Sequence, residues 1–240
     1  MRSRASRARA SACSPEARAL AAPRGFARNS PHRPAPRGVR YTTRPRAGRS
    51  VTVNDRELER VIQSRTIVIS EDVNSTMAGE ITRLVNFMEG EDPDAPILVT
   101  INSPGGEAYT GLGIYDTLRF TRCPVYTVVN GLCASAGIVI LLSAERERRF
   151  SLPSSRFMIH QPSGGASGTA SDIEIKAENM KALRQMYFDI IAERCGKDAE
   201  AVAEKAKRDF WLSAKEAEDY GLVSKIIAKK TDLPFSPTRS

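Results

Sequence analysis

Histidine is nearly missing from this chain. Only His32 and His160 occur among 240 residues, which argues against a histidine-rich metal centre. Cysteine is scarce as well. Cys13, Cys123, Cys133 and Cys195 lack the paired spacing of a zinc site. Two of them fall in the expected interior, which fits a reducing compartment. No metal is expected. No apolar run approaches the roughly 20 residues of a membrane span; the longest runs only from Ile138 to Ala144. Acid is almost absent from residues 1–50, which carry 13 Arg, no Lys and one acid, Glu16. The formal charge of +8 is therefore uneven: +12 in residues 1–50, and a net of −4 in the remainder. The globular part is mildly acidic, so the basic total is no evidence for nucleic acid binding.

What is present divides into three parts. Residues 1–50 are Arg, Ala, Ser and Pro, a composition that cannot form a core. They read as a disordered extension, or equally as an organellar transit peptide. Residues 51–228 read as one globular domain, and 229–240, with Pro234 and Pro237, as a disordered tail. Inside the domain, strands and helices alternate. Asp55–Gln63 reads as a short helix and Thr66–Ser70 as a strand. Asn74 and Ser75 can cap a helix with Met77, Ile81, Leu84, Val85 and Met88 on one face. Ile97–Ile101 is a buried strand, followed by a glycine turn at Asn102–Gly106 and a helix through Ile114 and Leu118. Val125–Val129 is another strand, broken by Asn130-Gly131. Arg156–Ile159 is one more, ending on His160. Ser171 and Glu174 form a capping box for a long helix closed by Gly196, and Ser213 and Glu216 form a second. Leu222–Ile227 reads as a last strand. Regular strand–helix succession implies right-handed crossovers and a largely parallel sheet, hence an α/β fold.

Ser135 stands at the joint between the Val125 strand and an apolar helix at Ile138–Leu142. Its neighbours Ala134, Ala136 and Gly137 are small, as a tight elbow presenting a hydroxyl requires. A serine that merely caps the helix is the plainer alternative. A hydrolase would use Ser135 as nucleophile, His160 as base and Asp209 to orient the imidazole. The turn Ser103-Pro104-Gly105-Gly106 lets backbone approach a ligand, and its N–H groups could share an oxyanion with that of Ala136. The same residues have structural readings: a core histidine, an ordinary turn, an Asp209–Arg208 ion pair. Asp172 competes with Asp209, although its place at a helix start already explains it. Cys133, on an apolar stretch, reads as core filling.

Several motifs in order resemble one family. They are Ile101-Asn102-Ser103-Pro104-Gly105-Gly106, Ile114-Tyr115-Asp116-Thr117, Ala134-Ser135, Met158-Ile159-His160-Gln161-Pro162, Asp172-Ile173-Glu174-Ile175 and Leu212-Ser213-Ala214 through Gly221-Leu222-Val223. Together they are similar to the proteolytic subunit of the ATP-dependent Clp protease, over about Leu58 to Ile227. The resemblance implies a ClpP/crotonase-type spiral of βαβ units with a protruding handle helix at Ser171–Arg194. It implies a serine endopeptidase with Ser135, His160 and Asp209 as triad, and Gly106 and Ala136 as oxyanion hole. It implies inter-ring contacts at Asp172 and Arg208, within two stacked heptameric rings. Partners would be a Clp-family AAA+ ATPase and unfolded polypeptides. No cofactor is implied, because the partner uses the ATP. Departures are Leu132-Cys133 and Ala136 around the serine, and Leu98 and Thr100 where many members have aromatics that dock the ATPase. The altered docking groove suggests a ring mixed with paralogues; a non-catalytic supporting subunit is a separate alternative, against which stands that no triad residue is lost. An acyl-CoA enzyme of the wider crotonase type rests on fold analogy alone. The expected location is bacterial cytoplasm, or mitochondrial matrix or plastid stroma if residues 1–50 are a transit peptide.

Overall fold

In the computed structural model, the described residues are 62–235. The Asp55–Gln63 helix is described only at its end, and residues 1–50 lie outside. Seven strands and six helices follow in order among the described residues. They are β1 (Thr66–Ile69), α1 (Ser75–Glu91), β2 (Ile97–Ser103), α2 (Ala108–Phe120), β3 (Val125–Ala134), α3 (Ala136–Leu141), β4 (Arg149–Ser151), β5 (Arg156–Ile159), α4 (Ala170–Cys195), α5 (Ala199–Lys205), β6 (Phe210–Ser213), α6 (Ala214–Tyr220) and β7 (Lys225–Ile226). The main sheet runs β1-β2-β3-β4-β7, all parallel. Residues of alternating parity face its two sides. Ile67, Ile69, Val99, Ile101 and Val129 face the helices and are fully buried with Met77, Ile81, Ile114 and Leu118.

The Asn130-Gly131 pair does not end β3, against the sequence reading. The strand continues to Ala134 and changes partners. Thr127–Val129 pair with β4, whereas Leu132–Ala134 pair with β5, which pairs antiparallel with β6. The β2 register shifts at the same level. The joint is pinned by side chains: Leu132 N–H donates to Asn102 Oδ1 at 3.0 Å, and Ser155 Oγ donates to Val129 O at 2.9 Å. Gly131 has φ +108°, and a Cβ there would lie 2.7 Å from Asn102 Oδ1. The glycine is therefore required inside a strand.

Three further readings change. Helix α4 is capped by Thr169, whose hydroxyl and Asp172 form the capping box, rather than by Ser171 and Glu174. The last strand is limited to Lys225–Ile226. Residues 229–235, expected in a disordered tail, form a 3-10 turn at Lys230–Asp232, with Leu233 and Phe235 packed on Leu98, Val128, Phe150 and Ile227. Asn74, Ser213 with Glu216, and Gly196 cap helices as expected, and Gly221 closes the helix that Ser213 opens.

Candidate active site

Three elements bring the site together. Ser135 follows β3 directly and precedes α3. Its backbone is at φ +52°, ψ −121°, a region that non-glycine residues rarely occupy. Such strain persists only where the surroundings hold it. Here Ser135 N–H donates to Met158 O at 2.9 Å, tying the elbow to β5. Ser135 stands at the N-cap position of α3, yet its hydroxyl makes no cap bond. It meets His160 Nε2 at 2.8 Å instead. The helix-cap reading of this serine therefore fails.

His160 is the residue after β5. The antiparallel register Ile159↔Phe210 continues outward and sets His160 opposite Asp209. His160 Nδ1 lies 3.4 Å from Asp209 Oδ1. With Nδ1–H turned to the carboxylate, Nε2 is left to accept the serine proton. Gln161 N–H donates to Ala206 O at 3.2 Å, which anchors the segment carrying Asp209 beside the histidine. Among the described residues Asp209 pairs with His160 and makes no ion pair with Arg208. The imidazole is half-buried and the Asp209 carboxylate is more open. Both line an open cleft with Gln161, Ser163, Lys207 and Arg208, so the rim is basic.

The glycine turn closes the other side. A Cβ on Gly105 would sit 2.6 Å from Ser135 Cβ and 2.9 Å from Ala136 N, so only glycine lets the turn lie against the elbow. The segment before α1 clamps this turn, a part the sequence reading gave no role. Val73 N–H donates to Gly105 O at 2.8 Å, Glu107 N–H donates to Val73 O at 2.9 Å, and Ser103 Oγ donates to Glu71 O at 2.7 Å. These ladder bonds leave out the Gly106 N–H. The Ala136 N–H opens α3 and has no partner within the helix. No sequence signal marks Val73 for this task, since it reads as one more apolar residue.

The remaining candidates separate clearly. Cys133 is fully buried, and burial pushes its thiol far above the usual range, so it holds no thiolate at neutral pH. Asp172 is occupied with Thr169 at the start of α4, while Arg208 is exposed at the cleft. Among the described residues no cluster of metal-binding side chains occurs, and no helix is long and apolar enough to cross a membrane. A serine hydroxyl, an imidazole and a carboxylate in series, beside uncommitted backbone N–H groups, can perform nucleophilic acyl transfer.

Comparison with known proteins gives the same direction. A family model described as Clp protease matches residues 49–230. The ATP-dependent Clp protease proteolytic subunit 2 of Treponema denticola is 41% identical over 181 residues, covering 75% of this chain and 90% of the relative. A solved mutant of ClpP1 from Listeria monocytogenes matches with a TM-score of 0.68 at 39% identity, covering 72% of this chain and 96% of that one. The α/β fold of ClpP type expected from the sequence is the fold observed.

Proposed function

The chain belongs to the Clp protease family and has the function of its proteolytic subunit, a serine peptidase; from that premise we propose that Ser135, His160 and Asp209 carry the hydrolysis. Ser135 Oγ attacks the scissile carbonyl and its proton passes to His160 Nε2. Asp209 holds the imidazole and stabilises the imidazolium that forms. The N–H groups of Gly106 and Ala136 receive the oxyanion. His160 then gives its proton to the leaving amine. Water, activated by the same imidazole, cleaves the acyl-enzyme and restores Ser135. The observation that carries this reading is the 2.8 Å contact between Ser135 Oγ and His160 Nε2 at a strained elbow.

Family membership implies an oligomeric protease that works with Clp ATPases. The finer proposal is two stacked seven-membered rings, with Asp172 and Arg208 at their contact and unfolded chains as substrates. Exposed Ile173 and Ile175 on α4 support this, because a lone chain gains nothing by showing them to water. The proposed location is the bacterial cytoplasm, in keeping with two bacterial relatives.

The test is Ser135→Ala assayed with a fluorogenic peptide. A fall of at least about 10⁴-fold in kcat at unchanged particle mass is expected. Wild-type turnover in the variant would remove Ser135 from the reaction. A wild-type particle that is itself inert would point to a supporting subunit.

A further inference from the structure

The two backbone N–H groups assigned to the oxyanion belong to different elements. Gly106 lies two residues before Ala108, the first residue of α2, and Ala136 is the first residue of α3. Such donors act only if they are fixed in place before the charge develops. On its near side the glycine turn is held by the bonds to Val73. On its far side α2 opens without support of its own, because Glu107 stands at the N-cap and makes no side-chain cap bond.

The contact that holds the far side comes from α4. Tyr187 Oη donates to Ala108 O at 2.8 Å. Among the described residues it is the one hydrogen bond that joins α4 to the segment 103–137. The Tyr187 ring is buried with Val139 of α3 and Leu183 of α4, and Ala108 and Leu112 of α2 pack against the same cluster. One side chain therefore touches the first turns of both helices that follow the oxyanion donors. Gly111 shows how closely they meet. A Cβ there would lie 2.9 Å from Ala136 Cβ and 3.1 Å from Tyr187 Oη, so α2, α3 and the hydroxyl converge with no room between them. Burial pushes the phenol above its usual range, so the hydroxyl stays protonated and donating near neutral pH.

We propose that Tyr187 is a positioning residue for the oxyanion hole: its hydroxyl fixes Ala108 and its ring fixes Val139, so that the N–H groups of Gly106 and Ala136 converge on one oxygen. This role rests on the reading of Ser135 as nucleophile, and it places part of the hole's support on a helix that carries neither donor. Tyr187 itself meets no reacting atom. Its loss is felt in the transition state, where the oxyanion exists, rather than in ground-state binding.

The experiment compares the wild-type particle with Tyr187→Phe, which keeps the ring and removes the hydroxyl. Each is assayed with a fluorogenic peptide and inhibited by the aldehyde of the same peptide sequence. Ser135 Oγ adds to the aldehyde carbon as its proton passes to His160, so the adduct oxygen occupies the oxyanion position. Tyr187→Phe should lower kcat and raise the aldehyde inhibition constant by a similar factor, at least about tenfold, while KM changes by less than about twofold. A displaced donor forfeits part of the roughly 10²- to 10³-fold that a removed donor costs. Circular dichroism and native mass show whether each particle is folded and assembled. Gly111→Ala crowds the same niche from α2, should give the same split, and stands in if Tyr187→Phe unfolds. Wild-type kcat and inhibition constant in Tyr187→Phe would overturn the proposal. So would a rise in KM that accounts for the whole loss. A wild type that cleaves the peptide yet is indifferent to the aldehyde would overturn the Ser135 reading itself, and the role of Tyr187 with it.

Discussion

At the residue scale the account depends on a serine held where serines seldom sit. A positive φ at a non-glycine residue costs on the order of 1–3 kcal/mol, and Ser135 bears it beside the Gly105 backbone and the Met158 carbonyl. Gly105→Ala is therefore expected to cost stability by about 2 kcal/mol and to lower kcat/KM by at least about 100-fold through misplacement of Oγ. Denaturant melts and peptide kinetics on the same preparation check it; wild-type kinetics would show that the elbow tolerates the shift. Asp209→Asn is expected to leave the melt unchanged, since the carboxylate is largely open, and to lower kcat about 10³- to 10⁴-fold through the wrong imidazole tautomer. A loss below tenfold would assign Asp209 no orienting role. Ser135 and His160 were legible because small neighbours surround one and no other histidine lies outside residues 1–50. Asp209 was named as the imidazole's partner, but with Asp172 as a competitor and an ion pair with Arg208 as its plainer reading. What pairs it with His160 is the β5–β6 register, a long-range fact that local sequence does not carry.

At the element scale, β3 and α4 show where local signals mislead. Asn-Gly normally marks a hairpin turn. Within β3 the glycine is needed to clear the Asn102 carboxamide, and the strand runs on to deliver Ser135. Gly131→Ala should then destabilise the fold by about 1–3 kcal/mol, and a Gly131→Ala, Asn102→Ala pair should recover part of the loss in a double-mutant cycle; strict additivity would dissociate the two residues. At the start of α4 the sequence reading placed the capping box at Ser171 with Glu174, and the structure forms it two residues earlier, at Thr169 with Asp172. Both pairs put a hydroxyl three residues before a carboxylate, so spacing alone does not separate them. In the fold, the Thr169 hydroxyl and N–H both donate to Asp172 Oδ2, at 2.7 and 3.0 Å, and hold its carboxyl below the usual carboxylate value. A lowered value in the folded state means that the cap stabilises the helix above the ordinary carboxylate pKa and is lost as the pH falls through the folded one. Carboxyl carbon shifts should place the Asp172 midpoint below that of an unstructured aspartate, and Thr169→Ala should return it upward. An unchanged midpoint in the variant would contradict the box.

At the scale of the whole molecule, the succession of strands and helices was readable, because buried parallel strands and amphipathic helices have different periods. The spatial order β1-β2-β3-β4-β7 was not, because several right-handed arrangements satisfy the same succession. The packing of Phe235 on Tyr126 was missed for a simpler reason: two prolines in a polar tail hide one aromatic residue. The first turns of α4 present Ile173 and Ile175 to solvent, 43% and 61% exposed. If they are assembly surface, Ile175→Glu should leave the single chain folded and reduce the native particle mass; an unaltered mass would place the contact elsewhere. The claim on which all of this rests is that Ser135 is the nucleophile of the assembled enzyme. The most direct measurement is labelling of the intact particle with a fluorophosphonate, followed by mass mapping of the adduct. One adduct on the peptide containing Ser135, lost in both Ser135→Ala and His160→Ala, is the expected result. An adduct on another residue, or labelling that survives Ser135→Ala, would contradict the account.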